Sequence, residues 1–304
     1  MDERLSAPHP ATAEPPLDRR AELSEFLRTR RARLKPADVG LPDHGRHRRV
    51  PGLRREELSQ LAGVSVAYYT RLEQGNGRNV SAEVLDAIAR ALRLSEAEHS
   101  HLNHLAKPKH HKKKKNARPQ RMRPELQRLL DAMTGVPAYV VGHRTDILGW
   151  NPLAAAVFCD FAALEPQERN FSRLIFLHPP TRALYRDWDV KAAETVSGLR
   201  MYAGCYADDP ALSALVGELS VKSEEFRTLW ASHDVRDKGY GSKTLTHPLV
   251  GEITLSYETL KFPNDPDQSL VAFHAEPGSP SAEALRLLGS WGVDATTAGT
   301  SSGL

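Results

Sequence analysis

The 304-residue chain has only two cysteines, Cys159 and Cys205, in no paired spacing. A disulfide framework and a cysteine-rich zinc module are therefore excluded, and a reducing, cytoplasmic location is expected. Long apolar runs are also missing. The longest charge-free stretch near the middle, Ile147 to Cys159, is interrupted by Asn151 and Pro152. It falls far short of the roughly 20 apolar residues of a membrane helix, so no membrane partner is expected. The first twenty residues mix Asp, Glu, Arg and Pro without an apolar core, so a secretory signal is not expected there. Catalytic signatures are absent as well: no Gly-x-Ser-x-Gly elbow, no phosphate-binding Gly-rich loop, no His-Glu-x-x-His. His99, His101 and His104 share a helix, and the i, i+3 spacing of the last two suits a metal. Nothing nearby completes a ligand set, so they read as surface histidines. No cofactor and no metal is expected.

What is present is charge, unevenly placed. The net charge of +3 hides three regions. Met1 to Ala106 carries 17 Lys+Arg against 15 Asp+Glu; Lys107 to Pro124 carries 9 against none; Glu125 to Leu304 carries 15 against 23. A mildly basic part is thus tied through a basic strap to an acidic part. Such asymmetry points toward a nucleic-acid or membrane-surface partner.

Organisation follows the same division. Residues 1–20, rich in Pro and poor in large apolar groups, read as a disordered tail. Between 21 and 106 the pattern is helical. Leu23, Phe26, Leu27 and Leu34 share one face, and short helices follow at about Arg54–Ala62, Ser65–Gln74, Ser81–Leu92 and Ser95–Ala106. Ser81 and Ser95 are N-cap residues, and Ser95 with Glu98 has capping-box spacing. Residues 107–123 cannot bury a core and read as a basic linker. From 124 to 292 the signals are mixed. A helix opens at Pro124, a hairpin spans Ala138–Gly142 and Asp146–Trp150, and helices run to about residue 232. Strands then lie at Ile253–Tyr257 and Leu270–Ala275 before a last helix through Trp291. Residues 293–304 read as a second tail. The expected fold class is an all-α, five-helix domain followed by an α+β domain with an antiparallel sheet.

Leu53–Gly75 carries the most chemistry. Ala62 is small enough for a second helix to approach, Gly63 permits a left-handed turn, Val64 plugs the angle and Ser65 caps the next helix. Leu58, Leu61, Tyr69 and Leu72 are the expected buried positions. This is helix-turn-helix spacing, set among seven arginines between Arg46 and Arg78.

The pattern resembles the Cro/repressor type, in which the second helix enters the major groove of double-stranded DNA. That resemblance turns Ser65, Val66, Ala67, Thr70 and Arg71 toward the DNA, with Arg71 the candidate for bidentate readout of guanine. Arg55, Tyr68 and Asn79 fall on the phosphate side. Val66 and Ala67 offer only apolar contact, so DNA shape carries part of the expected specificity. The strap (Lys112–Lys115, Arg118, Arg121, Arg123) is read either as a source of phosphate contacts or as a solvated spacer.

A longer set of motifs is similar to the MmyB-like transcriptional regulators of the XRE class. It comprises Arg49–Leu58, Leu61–Ser65, Tyr68-Tyr69, Arg71–Gly75, Asp146–Ala155, Phe226–Trp230, His233–Val235, His247-Pro248, Gly251-Glu252, Tyr257–Thr259 and Glu276–Ser279. Asn76–Val80 departs from the more Pro-rich turn of that pattern. The resemblance covers about 23 to 291 and implies a PAS-like ligand-binding domain that accepts an apolar small molecule such as a fatty acid.

In that domain Trp150, Phe158, Tyr257 and Phe273 are the candidate pocket residues, with His233 and Asp234 as polar anchors; simple core packing is the competing reading. The functional expectation is a sequence-specific transcription regulator, a homodimer on an operator, responding to a small apolar ligand. Two other readings stay open at this point. One is a metabolite-binding protein or enzyme that uses the helix-turn-helix only as an interaction module. The other is a non-specific DNA binder working mainly through the strap.

Overall fold

The computed structural model describes residues 17–42, 50, 52–77, 79–107, 120–236 and 239–300. The first part is helical: α1 (Arg19–Arg33), a 3-10 turn (Pro36–Val39), α2 (Arg55–Ala62), α3 (Val66–Glu73), α4 (Ala82–Ala91) and α5 (Glu96–Ala106). Ser65, Ser81 and Ser95 each accept an amide three residues on, and Glu98 returns to the Ser95 amide at 2.8 Å, completing a capping box. Leu23, Phe26, Leu27, Leu53, Leu58, Tyr69, Leu72, Leu85, Ile88 and Leu102 fill one apolar core. Leu61 corrects the expectation: it is 37% exposed. The buried stripe of α2 runs through Leu58, Ser59 and Ala62, which turns Leu61 outward.

The second part begins with α6 (Pro124–Ala132), then β1 (Ala138–Gly142), β2 (Ile147–Trp150), α7 (Pro152–Phe158), α8 (Phe171–Leu177) and α9 (Pro179–Leu184). It continues through α10 (Trp188–Cys205), α11 (Pro210–Lys222), α12 (Glu224–Ala231), β3 (Tyr240–His247), β4 (Gly251–Phe262), β5 (Asp265–His274) and α13 (Pro280–Thr300). The five strands form one antiparallel sheet in the order β2-β1-β5-β4-β3, a PAS-like arrangement. Alternation divides each strand between two faces. Tyr139, Val271, Phe273, Ile253, Leu255 and Tyr257 face the main core, under α7, α8, α10, α11 and α13. Ala138, Val140 and Leu270 face a smaller cluster closed by Leu126 and Leu130 of α6.

Strand β3 has no clear signal in the sequence. It is an edge strand in which only Leu245 and His247 are buried, so its apolar period is too short to show. The expected tails also change. Leu17 packs against the core of the second domain and its amide donates to Ser213 Oγ at 3.2 Å, and α1 already begins at Arg19. At the other end α13 continues to Thr300 rather than ending near residue 292. Residues 1–16 and 301–304 of those tails lie outside the described residues. So does most of the strap, residues 108–119. Its last residues belong to the second domain: Gln120 and Arg121 make hydrogen bonds to Asp267 and Gln268, and Arg123 pairs with Asp265 at 3.0 Å.

Candidate nucleic-acid interface and ligand pocket

Helices α2 and α3 meet at a tight corner. Gly63 closes α2 with a φ of 66°, the left-handed region that favours glycine. Ser65 then caps α3, and Tyr69 and Leu72 anchor that helix in the core. Its opposite side is free. Ser65, Val66, Ala67 and Arg71 are exposed, and Tyr68 and Thr70 are half-buried. The Arg71 guanidinium lies 5.6 Å from the Tyr68 ring, a cation–π contact that presents it along the helix surface. Val66, Ala67, Thr70 and Arg71 share one side by their helical spacing. Asn79 is exposed with a φ of 67°, a conformation asparagine tolerates better than most residues.

Arg55 has a structural engagement the spacing did not reveal. Its Nε is ion-paired with Glu73, the same carboxylate that buried Arg31 holds at 2.8 Å. Arg31 also donates to the Leu53 carbonyl at 2.6 Å. One carboxylate thus ties α1, α2 and α3 together, fixing the angle at which α3 is displayed. Arg46, Arg48, Arg49 and Arg78 lie outside the described residues.

In the second domain Tyr257 and Phe273 are direct cross-strand partners, with rings 5.8 Å apart. Phe158 from α7 packs on Phe273 at 4.7 Å, and Tyr139 of β1 touches Phe158 at 5.8 Å and Phe273 at 5.7 Å. Trp150 stands at the margin of this group, reaching it through Phe161 at 5.3 Å and carrying Arg169 over its ring. Three of the four expected aromatics therefore converge, around a tyrosine the sequence did not single out.

His233 and Asp234 correct the expectation. They sit at the junction with the helical domain: His233 Nδ1 meets Arg200 at 2.9 Å, and Asp234 pairs with Arg30 of α1 at 3.4 Å. The turn after α12, with His233 at a φ of 54°, carries both residues to these arginines. Polar groups near the aromatics come from α10 instead. The Lys191 ammonium lies 4.6 Å from the Phe171 ring centroid and 5.7 Å from that of Tyr185. Burial, reinforced by the neighbouring Lys243 charge, pushes Lys191 down to about 8. Lys243 has its own partner in Glu194, and it lies over the Tyr257 ring. Burial also raises the phenols of Tyr139 and Tyr185 above the ordinary tyrosine range. The only sequence signal was a few charges on an otherwise apolar α10. A separate cleft of about 600 Å³ lies beside β2, lined by Gln120, Met122, Arg144, Leu148 and Arg169.

A further difference concerns the three histidines. His101 is 1% exposed, packed edge-on to Phe26 at 5.1 Å, and is no surface group. Among the described residues no cluster of three His, Cys, Asp or Glu has metal-site geometry. No helix among them is long and apolar enough to cross a membrane.

A helix-turn-helix domain joined to a PAS-like sensory fold defines a class: the ligand-responsive transcription regulators. Comparison with family profiles agrees. The helix-turn-helix domain profile matches residues 22–102, and that of the MmyB-like transcription regulator ligand binding domain matches residues 122–288. The second match covers more than half of the chain, which belongs to the MmyB-like transcription regulators. No curated protein matches it significantly.

Proposed function

We propose that the chain reads an operator with the exposed side of α3 and is regulated by a small apolar effector of fatty-acid type. The observation that carries the reading is the two-sided character of α3: Tyr69 and Leu72 are fully buried while Val66, Ala67 and Arg71 stand free. In this reading Ser65, Val66, Ala67, Thr70 and Arg71 meet base edges, and Arg55, Tyr68 and Asn79 lie along the phosphates. A homodimer places two copies of α3 on half-sites about one helical turn apart.

The effector chain lies among Trp150, Phe158, Tyr257 and Phe273. Lys191 replaces His233 and Asp234 as the polar anchor, because a buried ammonium over the Phe171 and Tyr185 rings suits an anionic head group. The domains belong to transcription regulators, which favours this reading over an enzyme carrying the helix-turn-helix as an accessory.

The test is Arg71→Ala in a titration of an operator selected from random duplexes, at fixed salt. The expected result is a loss of about 1–3 kcal/mol of discrimination between operator and random DNA. Unchanged discrimination removes α3 as the reading helix. Mass spectrometry of small molecules released from the purified chain tests the effector, and a polar, sugar-like or nucleotide ligand overturns the apolar assignment.

A further inference from the structure

The two domains are joined by more than the strap. Helix α10 belongs to the ligand domain: Trp188, Ala192, Val196, Leu199 and Ala203 lie in its main core, and Lys191 lies over the Phe171 ring. About two and a half turns beyond Lys191, at 3.6 residues per turn, the same helix meets the DNA-binding domain. Arg200, fully buried at 0% exposure, ion-pairs with Glu22 of α1 and donates to the Trp230 carbonyl. It also bonds His233 Nδ1 at 2.9 Å, and its guanidinium lies 4.0 Å from the Trp230 ring centroid. From the opposite side Arg30 of α1 donates to the His233 carbonyl, pairs with Asp234, and pairs with Glu98 of α5 at 2.9 Å.

Apolar packing crosses the same boundary in both directions. Val235 of the ligand domain is buried in the helical core and Met201 of α10 packs against that core, while Leu17 ahead of α1 packs on the ligand-domain core. The approach is close. A Cβ at Gly204 of α10 would lie 2.6 Å from His101 Nδ1 of α5, so the two helices touch only because that residue is glycine.

We propose that Arg200 is the positioning residue that docks the DNA-binding domain on α10, making α10 the element through which the ligand pocket and α3 influence each other. Buried ion pairs are a strong device for fixing one arrangement, because breaking one leaves an uncompensated charge in the interior. The chain of contacts is short. Toward the ligand-domain aromatics α10 carries Lys191 and Glu194, its junction side carries Arg200 and Gly204, and α1 links Glu22 to Arg31, Glu73 and hence α3. The coupling half of this inference rests on the proposed function; the docking half does not.

Amide hydrogen exchange on the full chain tests both halves, without an effector. In the free protein, Arg200→Met and Glu22→Gln are each expected to raise exchange in α1 and α5 by at least about fivefold while α2 to α4 hold their protection. Unchanged α1 and α5 exchange in both variants overturns the docking. Glu22→Gln keeps the shape of the side chain and serves if Arg200→Met does not fold.

Addition of the selected operator duplex then reads the coupling, because linkage between two sites is reciprocal. The wild type is expected to change exchange within residues 188–205 on binding DNA, and the variants to lose that response while α3 is still protected. A response in α10 that is identical in variants and wild type overturns the coupling. Absence of α3 protection in the wild type indicts the DNA-reading assignment instead, and the free-protein comparison still decides the docking.

Discussion

Glu73, on the helix that carries the candidate reading face, is ion-paired at 2.8 Å to Arg31 of α1, and both residues are buried. Arg55 closes the second oxygen of the same carboxylate. The orientation of α3 is thus set by charge as well as by the apolar contacts of Tyr69 and Leu72. Glu73→Gln leaves Arg31 in the interior without its counter-charge, and the expected destabilisation is about 3–5 kcal/mol. Urea unfolding of the full chain, followed by a probe in the helical domain, measures it. A change under about 1 kcal/mol would mean that water or a rearranged carboxylate replaces the pair.

The strap makes a prediction about salt. Each of Lys112–Lys115 that meets a phosphate contributes about 0.9 to the slope of log affinity against log salt. Replacing all four by serine therefore lowers the slope by as much as about 3.6 if they bind DNA. An unchanged slope in a salt titration identifies the segment as a spacer.

The proposed role of Lys191 as the effector's anchor carries a pH signature. Its ammonium is the charged form below about 8, so affinity for tetradecanoate, an anionic amphiphile, is expected to fall as pH rises from 7 to 9. Lys191→Met removes both the extra affinity and its pH dependence, leaving the apolar term. Calorimetric titration at the two pH values measures this, and an equal pH dependence in wild type and variant would place the head group elsewhere.

His101 gives the domain junction a second signature. Burial, with the nearby Arg200 charge next in size, lowers it from 6.5 to about 3. The unfolded chain therefore binds a proton at pH values where the folded chain does not. The stability this contributes is complete above about 6.5 and is lost as pH falls toward 3, by up to about 1.4 kcal/mol per pH unit. His101→Leu is expected to flatten the stability profile between those limits in urea unfolding. A variant that follows the wild-type slope would show that other groups carry the acid sensitivity.

The sequence determined a good deal by itself. Local patterns set the helices, because caps such as Ser65, Ser81 and Ser95 and the left-handed Gly63 are decided by residues within a few positions. The hairpin of β1 and β2 and the alternation in β4 were legible for the same reason. Tertiary structure alone decided three things. It turned Leu61 outward and paired Arg55 with Glu73, since helix faces are assigned by their neighbours. It built β3 as an edge strand held mainly by backbone pairing to β4, which leaves little trace in side-chain pattern. And it moved His233 and Asp234 from an expected pocket to the junction, beside Arg200, Glu22 and Arg30, residues 178 positions apart along the chain in the Arg200–Glu22 pair and 203 in the Arg30–His233 pair. Ion pairs between such distant residues depend on how whole domains pack, and no local spacing encodes that.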